Sequence, residues 1–152
     1  MKKITGSRRT MLAGSLAAAA AGALAATGAT AAPAAAKPTP YKALFQVSDD
    51  DPKKWNQTLN NIKNLQQDLG AANVTVEIVI FGPGIGMVKV ESEVGNRVQE
   101  AIDAKVAVLV CQNTMRGAHL TPDDMLSRIG YVPAGVGEIV RRQADGYAYI
   151  RS

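Results

Sequence analysis

Apolar positions along this chain alternate between two periods, one near 3.6 residues and one short and nearly continuous. Lys42 to Ser48 (KALFQVS) reads as a first strand. Asp51-Pro52 follows with a helix N-cap and a proline at the first helical position, where the missing N–H is not needed. Trp55, Leu59, Ile62, Leu65 and Leu69 then recur at helical spacing, with Asn and Gln on the opposite face, until Gly70 ends the element. Val74 to Phe81 (VTVEIVIF) is β-branched and almost continuously apolar, the pattern of a strand covered on both faces. GPGIGM breaks it.

Val94, Val98, Ala101 and Ile102 predict a second helix ending near Lys105, and Val106 to Val110 another apolar strand. Thr121-Pro122-Asp123-Asp124 has a cap, an N1 proline and acids in the first turn, which predicts a short helix to about Arg128. Tyr131-Val132 reads as a short strand and Val136 to Gln143 as a last helix. Asp145-Gly146 then turns the chain into a final strand, Tyr147 to Arg151. Strands that alternate with helices imply parallel pairing through right-handed crossovers. The expected fold is a single α/β domain with a mostly parallel open sheet and helices on both faces. No internal repeat is present.

The segment before the first strand changes both the domain count and the charge. Residues 1–36 combine a basic start, a mild apolar run from Met11 to Ala26 and small residues at Ala29-Thr30-Ala31 and Ala34-Ala35-Ala36, the pattern of an export signal with its cleavage region. The run is shorter than the roughly 20 apolar residues of a membrane span and is mostly alanine. Ser7-Arg8-Arg9-Thr10-Met11-Leu12 resembles a twin-arginine signal, although adjacent arginines also occur in an ordinary basic leader. Residues 37–41 form a linker, and 42–152 are about one domain's length. The expected location is periplasmic, with no span left after signal removal.

The chain's formal charge of +4 comes from Lys2, Lys3, Arg8 and Arg9, because the remaining 17 − 4 = 13 basic residues match 13 acidic ones. A near-neutral domain has no electrostatic footprint for nucleic acid or an anionic membrane, and nucleic acid is excluded as a partner. A single cysteine cannot form an internal disulfide, so the fold rests on its core.

That cysteine, Cys111, stands where an apolar strand gives way to polar residues, at the carboxyl end of a strand. In open α/β sheets ligands bind beyond such ends, where the strand order reverses. As a plain residue Cys111 is a small apolar side chain finishing a buried strand. Two features favour chemistry instead. An oxidising compartment removes or oxidises stray thiols. Gln112-Asn113-Thr114 offers donors at the turn, an arrangement that favours a thiolate.

The other candidates are weighed against plainer roles. His119, the chain's one histidine, is either the base or ion-pair partner of Cys111 or a surface loop residue, since nearness in sequence does not fix contact. One Cys and one His do not make a zinc site. Gly82-Pro83-Gly84-Ile85-Gly86 follows a strand but lacks the spacing of a dinucleotide fingerprint, and Pro83 has no N–H to give a phosphate. It reads as a tight turn bringing backbone to the crevice of Cys111, with Gly82, Pro83 and Gly84 as pocket lining beside Asn113, Thr114 and His119. Asp51 reads as the helix cap, with Asp49 and Asp50 solvated at the strand end. Met87 and Met115 flank the crevice as apolar lining, with copper as the alternative.

Taken together, Phe81-Gly82-Pro83-Gly84, then Val110-Cys111-Gln112-Asn113-Thr114-Met115, then Val132-Pro133-Ala134-Gly135-Val136, then Gln143-Ala144-Asp145-Gly146-Tyr147-Ala148-Tyr149-Ile150 resemble the exported branch of the DsrE/DsrF-like family. The resemblance implies a DsrE-like three-layer sandwich and a homo-oligomer, a trimer or hexamer. Better-understood relatives are cytoplasmic sulfur carriers that hold a persulfide on one cysteine at a comparable strand end, and that role falls on Cys111. This chain departs from them in its export signal and in Asn113-Thr114-Met115 after the cysteine, and fold does not fix function. Two readings follow. One is a periplasmic sulfur carrier without metal or organic cofactor, working with a sulfur donor or acceptor protein. The other is a non-catalytic module that binds a small ligand or partner in the same crevice.

Overall fold

The computed structural model describes residues 41–152; the segment expected to be an export signal and nearly all of the expected linker lie outside the described residues. Five strands form one parallel sheet: β1 (Tyr41–Val47), β2 (Val74–Ile80), β3 (Ala107–Cys111), β4 (Gly130–Val132) and β5 (Ala148–Arg151), in the order β4-β3-β2-β1-β5. Tyr41, expected as linker, is already the first residue of β1 and pairs with Val74. Four helices connect the strands: α1 (Pro52–Leu69), α2 (Gly95–Asp103), α3 (Gln112–Gly117) and α4 (Gly135–Ala144).

Helix α1 starts where the sequence predicts, with the Asp51 carboxylate accepting from the Lys53 N–H at 2.8 Å. It packs with α2 on one face of the sheet, where Phe45, Ile78, Val110, Trp55, Ile62 and Val98 belong to one continuous apolar core. Side chains alternate along a strand, so Leu44, Glu77, Val79, Leu109 and Cys111 point to the opposite face. There α4 packs across β3, β2, β1 and β5. These helices above and below one sheet give the expected three-layer α/β architecture.

Three local expectations are corrected. The segment after Cys111 is a helix, α3, rather than a loop. Thr121 and Asp124 form the expected capping box, but it caps a single turn, Pro122–Asp124. The reason is tertiary: Met125 bridges to Lys89, and the Leu126 N–H donates to the Val88 carbonyl at 2.8 Å, which draws the chain out of the helix. The GPGIGM stretch is likewise a tight helical turn, Gly82–Val88, with Met87 fully buried in the core. The strand order reverses between β1 and β5, whereas Cys111 ends β3.

Candidate functional site around Cys111

Cys111 is the last residue of β3 and the N-cap residue of α3. The strand carries it to the α4 face and the helix starts directly beneath it. It is 5% exposed and unpaired. Burial pushes its thiol up, but the donors around it pull harder the other way: first the backbone N–H of Gly135, then the hydroxyl and N–H of Thr114 and the N–H of Asn113. The balance holds the thiol below the ordinary cysteine value. These donors belong to two helix starts, those of α3 and α4, where backbone N–H groups have no partner within the helix and favour negative charge.

Two glycines make this convergence possible. Gly135 is the first residue of α4 and lies on the Phe81 ring, so close that a Cβ there would meet ring atoms at 3.0 to 3.2 Å. Without a side chain it lets the start of α4 drop onto the end of the sheet. Gly82 has φ +56, a left-handed backbone that a side chain resists. That turn aims its N–H at the Thr114 hydroxyl, which accepts at 2.9 Å. With its oxygen so engaged, the Thr114 hydroxyl has its proton to give to the sulfur.

Of the residues singled out from sequence, the structure thus brings Cys111, Gly82, Thr114 and Asn113 together. The Asn113 side chain is exposed and accepts from Arg116, so its contribution to Cys111 comes from the backbone. Gly84 is buried against the backbone of Val47 and Ser48. Pro83 lines a different cleft, of about 560 Å³, beyond the ends of β1 and β2, with Trp55, Gly86, Asp50 and Glu93. His119 is exposed and lies past the C-terminal end of α3, while Cys111 caps the other end. Six helical residues separate them, about 9 Å of axial rise. Met115, like Met87, is a core residue. Gly135 was not among the residues singled out; its signal was a glycine directly after Pro133-Ala134 at a helix start. Among the described residues, no group of three or more His, Cys, Asp or Glu is placed to hold a metal ion.

The residues that converge here, Phe81-Gly82, Cys111 to Thr114 and Gly135, come from three of the four segments that carry the sequence resemblance. A DsrE/DsrF-like family model matches residues 15–151. The chain belongs to that family. Its fold is shared with a solved protein of unknown function from Methanobacterium thermoautotrophicum, 35% identical, with a TM-score of 0.71 over 74% of this chain and 99% of that one. A protein of unknown function from Bacteroides thetaiotaomicron, 13% identical, shares the fold at a TM-score of 0.61 over 73% of this chain and 94% of that one. No curated protein matches. Membership of the DsrE/DsrF-like family points to a role related to sulfur relay.

The α4 face of this DsrE/DsrF-like protein also holds a charged cluster. Glu77, 3% exposed in the middle of β2, accepts a hydrogen bond from the Arg142 Nε at 3.1 Å and pairs with it at 2.9 Å through its other oxygen, and Glu138 forms an ion pair with the same nitrogen at 2.9 Å. Burial pushes the Glu77 carboxyl up, against the pull of Arg142 and with the help of the Glu138 charge. Outside this cluster, Val136 and Val140 project from α4 at 61% and 62% exposure. No helix among the described residues is long and apolar enough to cross a membrane.

Proposed function

We propose that this protein is a periplasmic sulfur carrier in which Cys111 accepts and passes on sulfane sulfur as a persulfide. The observation that carries this reading is the convergence of the Gly135, Thr114 and Asn113 N–H groups and the Thr114 hydroxyl on one unpaired thiol. The Cys111 thiolate attacks the outer sulfur of a donor persulfide, R–S–SH. A new S–S bond forms on Cys111, the donor S–S bond breaks, and the donor leaves as its thiolate. Sulfur is exchanged at constant overall oxidation level, so no external oxidant is needed. Delivery reverses the step toward an acceptor thiolate. The same donors that favour the thiolate also favour the anionic persulfide. Export by the leader at Arg8-Arg9 and self-association through the apolar outer side of α4 belong to this proposal.

The test is intact mass after incubation with glutathione persulfide under non-reducing conditions. The wild-type chain should gain one sulfur atom and lose it to an added thiol acceptor, and Cys111→Ser should gain none. Equal labelling of both would overturn the proposal.

A second reading, a ligand-binding module, is favoured by the cleft of about 560 Å³ between Trp55, Pro83, Gly86 and Glu93, which does not include Cys111. Under that reading Cys111→Ser leaves function nearly intact, while Gly86→Leu, which fills the cleft against Trp55, abolishes it.

A further inference from the structure

The donor that leads the effect on Cys111 belongs to the first residue of α4, so its reach depends on how α4 lies across the sheet. That helix turns Gly135, Glu138, Ile139 and Arg142 toward the strands, the spacing of one helical face. Only Ile139 among them is a buried apolar side chain, and its cluster has Leu44 and Val79 as other buried members, with Phe81, Leu109 and Tyr147 half-buried against them. So small an apolar seat fixes a helix loosely along its own axis, because nondirectional contacts tolerate sliding. The directional contacts on this face are the ion pairs.

Their geometry suits an anchor. Glu77 sits in the central strand of the sheet, aligned with Leu44 of β1 and Ala107 of β3, so its backbone cannot shift alone. The Arg142 Nε lies 2.9 and 3.1 Å from the two Glu77 oxygens. On α4 itself Glu138 receives both Arg142 and Arg141, the latter at 2.7 Å. Asp145 lies 3.6 Å from Arg142, and the Tyr147 ring stacks against both Arg142 and Lys42 at 5.6 Å. Arg142 is two turns beyond Gly135, about 10 Å along the helix.

We infer that Glu77 and Arg142 are positioning residues, a clamp that fixes α4 along its axis and so holds the Gly135 N–H against the Cys111 sulfur. This rests on the reading of Cys111 as the working thiol and adds that its reactivity is set from the far end of α4. Neither residue touches the sulfur, and both act through Gly135.

The experiment measures alkylation of Cys111 in the full folded chain by iodoacetamide across a pH series, with the denatured chain as reference. Wild type should titrate below the denatured thiol. Arg142→Met keeps the side-chain stem and removes the charge. It should titrate about one unit higher, so that alkylation near neutral pH slows about tenfold. Glu77→Gln keeps the volume of the buried group and should shift the profile in the same direction, which keeps the inference testable if Arg142→Met does not fold. Arg142→Lys should restore part of the shift. Ile78→Val, a neighbour of Glu77 in β2 on the opposite face, should leave the profile in place. A depressed wild-type thiol whose profile does not move in Arg142→Met or Glu77→Gln overturns the clamp alone, as does an equal shift in Ile78→Val. A wild-type thiol that titrates like the denatured one overturns the sulfur-carrier reading itself.

Discussion

The two faces of the sheet are built on different terms. On the α1 and α2 face, twenty buried residues among those described form one core in which almost every inward side chain is aliphatic or aromatic. On the α4 face, the apolar cluster has three buried members with Phe81, Leu109 and Tyr147 half-buried against them, and around it lie two buried carboxylates, two arginines and the thiol. Apolar burial is worth about 25 cal/mol per Å² and is nondirectional, so the first face supplies stability and tolerates small shifts. Hydrogen bonds and ion pairs are directional, and the second face uses them to hold one helix start against one sulfur. Stability and candidate chemistry are thus divided between opposite sides of the same five strands.

The division predicts its largest effect in Phe45→Ala. This ring is fully buried on the α1 and α2 face, and its loss should cost about 3–5 kcal/mol in denaturant unfolding. In the fraction that remains folded, the pH profile of Cys111 alkylation should match wild type. A shifted profile would show that the faces are not independent.

Gly135→Ala should give a smaller loss of stability and a larger change in chemistry. The added methyl meets the Phe81 ring at 3.0 Å, and overpacking of this kind costs about 1–3 kcal/mol. Relief comes by lifting the start of α4 away from the sheet end, which withdraws its N–H and raises the thiol's titration. A destabilised variant with an unchanged profile would assign the depression to Thr114 and Asn113 instead.

The first face was legible in the sequence and the second was legible only in part, for physical reasons. Trp55, Leu59 and Ile62 recur at helical spacing over two turns of α1, and β2 is an almost continuous β-branched run, so local pattern and tertiary burial agree there. Helix α3 has no such pattern: it is six residues, and only Met115 among them is buried. In α4 the pattern points the wrong way. Val136, Ile139 and Val140 would form an inward apolar stripe, yet the helix turns Glu138 and Arg142 to the strands and leaves both valines out. The cause lies 65 residues upstream, where Glu77 is buried in a central strand and needs a counter-charge. One acidic residue inside VTVEIVI was the available sign.

The α4 face also predicts a stability profile with two opposite slopes. Cys111 has a lowered value in the folded chain, so it contributes stability that is present above the unfolded thiol's range and lost as pH falls through the folded value. Stability should therefore rise with pH across that interval, by up to about 1.4 kcal/mol per unit of displacement, and Cys111→Ser should lack the rise. Glu77 is raised, so the native state holds its proton longer than the unfolded chain. Stability should fall as pH rises from the ordinary carboxylate range through the folded value, and Glu77→Gln should remove that fall. Denaturant midpoints measured from acid to alkaline pH for the three proteins check both signs.

The smallest effect on folding is expected at Val140, and it bears on what covers the thinner face. Val136 and Val140 sit one turn apart on the outer side of α4, too exposed for truncation or charge to cost the single chain more than about 0.5 kcal/mol. If copies of this chain associate through that side, as proposed, the same two valines become buried and a charge there must be desolvated without a partner. Val140→Glu should then unfold at the wild-type denaturant concentration in dilute, dissociated samples while sedimenting as a smaller species at micromolar concentration. Wild type and variant of equal mass at every concentration would mean that the α4 side is not the contact. The apolar stripe beside Gly135 would then be free for a sulfur donor or acceptor protein, and Val140→Glu would instead slow sulfur transfer to Cys111 from a protein donor while leaving transfer from glutathione persulfide unchanged.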